Sequence, residues 1–124
     1  MATAEREISF GNFVKIKRER LGKSLRGLAA ELDMTPAYLS DIEKGNRYAP
    51  EKYLKSMVKV LELSGDEIDV FYDLAGQSRN NNYPDLSEYI GSTPMARVAL
   101  RKARDFEISD LQWQEFINDI VEKE

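Results

Sequence analysis

The chain has 124 residues, 42% apolar and 32% charged, with a formal net charge of −4. That supports one small domain, or one with an appendage, and no apolar run approaches the ~20 residues of a membrane-crossing helix. There is no cysteine and no histidine, which removes disulfides, thiol nucleophiles, imidazole bases and the commonest zinc ligands together.

The remaining carboxylates and lysines show no nucleophile, base and orienter set. The expectation is a non-enzyme with no catalytic residue, no metal and no cofactor. The opening MATAEREISF lacks the basic-then-apolar layout of a signal peptide. With the absence of cysteine it suits a cytoplasmic protein with no membrane partner.

Charge is uneven along the chain. Through Arg79 there are 13 Lys+Arg against 13 Asp+Glu, and from Asn80 onward 5 against 9, so the acidity is in the tail. Lys15, Lys17, Arg18, Arg20, Lys23 and Arg26 oppose only Glu19. That local excess suits phosphates, or a plain solvated helix face.

The first helix is expected from about Ser9 through Arg20, with Phe10, Phe13, Val14, Ile16 and Leu21 as its apolar stripe and Gly22 as its stop. Ser24 is placed to cap a second helix carrying Leu25, Leu28, Ala29 and Leu32. Gly27 inside it reads as a position where another backbone comes close. After a break at Asp33–Met34, Thr35 and Pro36 start a third helix. There Leu39 and Ile42 face inward, while Pro36, Ala37, Tyr38, Ser40 and Asp41 are left outside. Two short helices across so tight a turn make a helix-turn-helix, whose second helix can lie in a DNA major groove.

Gly45 ends the third helix, Asn46–Ala49 is a loop, and Pro50 opens a fourth helix with Tyr53, Leu54, Met57, Val58 and Leu61. Ser64 and Glu67 have capping-box spacing before a fifth helix with Ile68, Phe71, Tyr72 and Leu74 that ends at Gly76. The expected organisation is a helix-turn-helix domain over 1–76, a polar linker over 77–84 (QSRNNNYP) and a helical C-terminal extension over 85–124. The extension starts with a short helical turn at Leu86, Tyr89 and Ile90. A helix follows from Thr93–Pro94 with Met95, Val98 and Ala99. A last helix opens on a Ser109–Gln112 capping box and carries Leu111, Trp113, Phe116, Ile117, Ile120 and Val121. So large an apolar face must pack on the first domain, on a second copy or on another protein. Trp113, Phe116, Ile117 and Ile120 are the candidate dimer or partner contacts, with core packing as the alternative.

The stretch SLRGLAAELDMTPAYLSDIEKG, Ser24 to Gly45, resembles the lambda-repressor/Cro-like (XRE) family. Ser24, Leu28, Ala29, Leu32, Met34 and Thr35 match its first motif helix and turn. Leu39, Ser40, Ile42, Glu43, Gly45 and Arg47 match its recognition helix and exit loop. The likeness extends from about Ser9 to Gly76. Two positions depart from the pattern: Leu25 replaces a frequent DNA-contacting glutamine, and Asp33 replaces a turn glycine, which its tolerance of unusual backbone angles permits.

The resemblance implies an all-α fold: a five-helix lambda-repressor-like domain that binds double-stranded operator DNA, usually as a homodimer on an inverted repeat. On that basis Thr35, Pro36, Ala37, Tyr38 and Asp41 are the candidate base readers, with surface charge as the alternative for Asp41. Ser24, Arg26, Ser40, Lys44, Asn46 and Arg47 are the candidate phosphate contacts, with packing as the alternative for Ser40 and solvated loop charge for Lys44 and Arg47. Glu43 is expected to brace the domain by pairing with Arg18 or Arg20. The tail is similar to the helical extensions of regulators encoded beside a partner, antitoxins included. A protein–protein adaptor that keeps the fold without reading DNA is the competing class, with Leu25 and the net acidity in its favour.

Overall fold

A computed structural model describes residues 8–123. The N-terminal stretch 1–7, where the signal-peptide reading falls, and Glu124 lie outside the described residues. All regular structure among the described residues is helical: α1 Phe10–Arg20, α2 Leu25–Glu31, α3 Pro36–Glu43, α4 Glu51–Val60, α5 Asp66–Gln77, α6 Pro84–Ser92, α7 Pro94–Asp105 and α8 Asp110–Glu122. The chain divides between Ser87 and Glu88 into two compact units.

The starts of α1, α2 and α3 follow from hydroxyl side chains that satisfy otherwise unpaired backbone N–H groups. Ser9, Ser24 and Thr35 accept from Asn12, Gly27 and Tyr38 N–H respectively. Pro36 sits in the first turn of α3, where it needs no N–H. The α2–α3 turn is closed by Asp33 in the left-handed region at φ 59°, the angle a short polar side chain tolerates best after glycine. Around this turn Phe13, Val14, Leu28, Ala29, Leu39, Ile42, Leu54, Met57, Val70, Phe71 and Leu74 form a fully covered core. The principal helix packings are α1 on α3, α2 on α3 and α1 on α5.

Several local expectations are corrected. Gly27 is exposed, and the nearest atom to an added Cβ is the Oγ of its own cap, Ser24, at 3.1 Å. The close backbone approach is at Gly11, where a Cβ would collide with the carbonyl oxygens of Ile42 and Glu43; that glycine lets α1 cross the end of α3. Leu21 is exposed and Ile16 half-buried, while Lys17 and Arg18 take the covered positions on α1. Ser64 and Glu67 make only half a capping box: Ser64 N–H donates to Glu67 Oε1 at 3.4 Å, but Gly65 occupies the cap without a side-chain bond.

Beyond α5 the polar stretch folds back on the first unit. Tyr83 lies against Gly76 so closely that a Cβ there would strike its ring, and Pro84 is buried. In the second unit Thr93 starts α7 without a side-chain cap bond, because its backbone is not in the usual cap conformation. Ser109 and Gln112 form a complete capping box at the start of α8. Arg97 closes the end of α6 by donating from Nη1 to the carbonyls of Ile90 and Gly91. None of the described residues of this unit is buried. Trp113 is half-buried and meets Phe116 edge-on at 5.9 Å. Phe116, Ile117 and Ile120 are each about half exposed.

Candidate nucleic-acid interface

The second helix of the tight α2–α3 pair is held from beneath. Glu43, at the inner end of α3, accepts from Arg18 Nε at 2.8 Å and from Nη2 at 3.0 Å, a fork-to-carboxylate pair with both side chains nearly covered. The remaining Nη1 donates to the carbonyl of Lys23 at 3.0 Å, so one guanidinium ties α1 to α3 and to the loop before α2. The Glu43 hydrogen bonds raise the Arg18 pKa above its ordinary value. Of the two arginines expected to brace Glu43, it is Arg18.

The basic cluster on and around α1 is correspondingly smaller than its sequence suggests. Arg18 is spent on Glu43, Lys17 Nζ donates to Glu67, and Lys23 Nζ donates to Glu31 at 2.7 Å. The Lys17 hydrogen bond holds the Glu67 carboxyl below the usual carboxylate range. Lys15, Arg20 and Arg26 remain exposed and without an ion pair among the described residues.

Above this brace the exposed N-terminal part of α3 carries Thr35 and Ala37, with Pro36, Ser40 and Asp41 half-covered. Tyr38 is half-buried, not simply outside. Its ring packs against the core, lies 6.2 Å from the Tyr53 ring and carries the Arg47 guanidinium 4.5 Å above it. A cation stacked on an aromatic face stays fixed while its N–H edge remains available.

Two open grooves flank the helix. One, of about 560 Å³, is lined by Tyr38, Gly45, Asn46, Arg47, Tyr48, Pro50 and Ser78. It unites three of the expected contacts, Tyr38, Asn46 and Arg47, and none of its lining residues is acidic. The other, of about 350 Å³, brings Ser40 and Lys44 together with Ser9, Asn12, Lys15 and Leu25, above the Arg18–Glu43 pair. Lys15 adds a cation to this second groove. Ser24, Arg26 and Asp41 line neither; the Ser24 hydroxyl accepts from Gly27 N–H at 2.9 Å, and Arg26 is exposed.

Two residues of the first groove's surroundings carried no signal in the sequence. Arg79 Nη1 donates to the carbonyl of Ala49 at 3.1 Å, and its guanidinium stacks 4.5 Å over the ring of Tyr48. A partnership across thirty positions has no periodicity to betray it.

The family model for a helix-turn-helix domain matches residues 9–71. The chain is a helix-turn-helix protein. No curated protein and no solved structure matches it. Helix-turn-helix domains bind DNA by laying their second helix in the major groove, here α3, so the coarse function is that of a DNA-binding regulator. Among the described residues there is no helix long and apolar enough to cross a membrane. Nor is there a group of three or more acidic side chains disposed to hold a metal ion.

Proposed function

We propose that this helix-turn-helix protein is a sequence-specific transcriptional regulator of XRE type. In this reading it is a cytoplasmic repressor that occludes a promoter by binding an inverted-repeat operator as a homodimer, without enzymatic activity. Thr35, Pro36, Ala37, Tyr38 and Asp41 read base edges, and Ser24, Arg26, Ser40, Lys44, Asn46 and Arg47 meet phosphates. The observation that carries the reading is the braced α3 beside an acid-free groove holding Tyr38, Asn46 and Arg47. In a chain with net charge −4, such a local absence of carboxylates favours an anionic partner.

The homodimer is assigned to the second unit, through Trp113, Phe116, Ile117 and Ile120. Supporting this, Met95, Phe106, Leu111 and Val121 are each more than 60% exposed in the same unit, an apolar surface that favours a protein partner. The same exposure favours a second reading, a DNA-binding antitoxin whose C-terminal helices grip a toxin or protease.

The test is fluorescence anisotropy on the protein's own upstream intergenic DNA against scrambled duplex. A preference of at least ~10³-fold for the specific site, weakening with salt, is expected. Equal affinity for both duplexes would remove the sequence-specific reading and favour the adaptor. Co-purification of a neighbouring gene product, lost on deleting 84–124, would favour the antitoxin.

A further inference from the structure

We propose that Arg79, outside the matched helix-turn-helix segment, is a positioning residue for DNA binding: it holds the Asn46–Ala49 loop in the shape that presents Asn46 and Arg47 to a DNA phosphodiester. The inference rests on the DNA-binding reading above and adds to it a residue from beyond the motif. A loop that must order itself on binding loses affinity in proportion to the freedom it gives up. This loop is held at both ends by the same device. At its start the Arg47 guanidinium lies on Tyr38 of the recognition helix; at its end the Arg79 guanidinium lies on Tyr48, both at 4.5 Å.

Arg79 adds a hydrogen bond to the carbonyl of Ala49, a residue that is itself buried. It has no carboxylate partner among the described residues, so its charge is not spent on an ion pair. Tyr48 is 53% exposed, and the guanidinium lies over its ring. Ser78, immediately before Arg79, lines the same groove as Asn46, Arg47 and Tyr48. The end of α5 and the exit loop thus form the two walls of one trough, with Arg79 as the tie between them.

The test uses the full chain and a fluorescein-labelled duplex that the wild type has enriched from a random-sequence pool. Affinities are measured across a salt series for wild type, R79A, Y48A, the double variant and R47A. R79A is expected to bind about three- to tenfold more weakly, with an unchanged slope of log affinity against log salt. R47A should make that slope shallower by about 0.9, the mark of one lost phosphate contact. The double variant should be no weaker than the weaker of R79A and Y48A, because either change alone breaks the tie.

Wild-type affinity in R79A overturns the proposal, as do losses that multiply in the double variant. A slope shallower by about 0.9 in R79A also overturns it, by making Arg79 a direct phosphate contact. A merely structural arginine would lower the melting temperature and leave the affinity, measured well below it, unchanged. If R79A loses its helical circular dichroism, R79K replaces it. Lysine reaches the Ala49 carbonyl without the flat stack, so a smaller loss at unchanged slope is expected, and wild-type affinity overturns the role. A wild type that enriches no duplex overturns the DNA reading itself, and this role with it.

Discussion

The two units of this chain use the same local grammar and reach opposite ends. Both open helices with Ser or Thr caps and with Pro in the first turn, and both place apolar residues three and four apart. In the first unit those residues are covered: Phe13, Val14, Leu39, Ile42 and Phe71 expose 1% or less. In the second, Phe106 exposes 78% and Phe116 54%. Amphipathic periodicity makes a helix with an apolar face; only a facing surface makes a core. The first unit supplies that surface from its own helices. The second leaves its apolar face exposed, which supports the protein partner proposed for it.

The largest effect should come from breaking what the first unit has finished. Glu43→Ala leaves the Arg18 guanidinium buried without its carboxylate and should cost about 3 kcal/mol, read as a lower urea midpoint at unchanged slope. A loss below about 1 kcal/mol would mean that Arg18 finds solvent and the brace is superficial.

The second unit gives the reverse test. Phe116→Asp should leave the melting of the helix-turn-helix unit within about 0.5 kcal/mol, as for a surface change. In sedimentation equilibrium it should convert a dimer to a monomer, weakening association by about 2 kcal/mol or more. An unchanged dimer mass would place the homodimer contact elsewhere and turn attention to a different protein on this face.

A smaller effect separates charges held inside from charges held ready. Glu67 has its carboxyl pKa lowered by Lys17, so the pair stabilises the fold above the ordinary carboxylate pKa. That contribution fades as pH falls through the lowered value. Glu67→Gln should therefore be less stable than wild type at neutral pH, with the gap closing on acidification below about pH 4. A gap constant across that range in paired thermal melts would assign the loss to packing.

Much of the first unit was legible because its signals are local. Ser9, Ser24 and Thr35 cap what they precede, Gly45 turns left-handed at φ 83°, and Asp33 does what the missing glycine would have done. Glu43 pointed to an arginine on α1, and Arg18 is the one it holds. What escaped was decided between elements. Gly11 and Gly27 look alike in sequence, and only the crossing of α1 over α3 says which one a neighbouring backbone approaches. Lys17 reads as a surface cation because a helical pattern does not reveal where a long side chain finds its carboxylate, here Glu67. Of the candidate contacts, Asn46 and Arg47 share a groove with Tyr38, while the hold of Arg79 on the loop is a contact between distant segments.

The most direct test of whether α3 of paired chains reads a symmetric operator is hydroxyl-radical footprinting of this chain on an enriched duplex. Two protected patches are expected on one face of the DNA helix, centred about one turn, roughly 10 base pairs, apart or a multiple of that. A single protected patch, or protection without phasing, would contradict that reading.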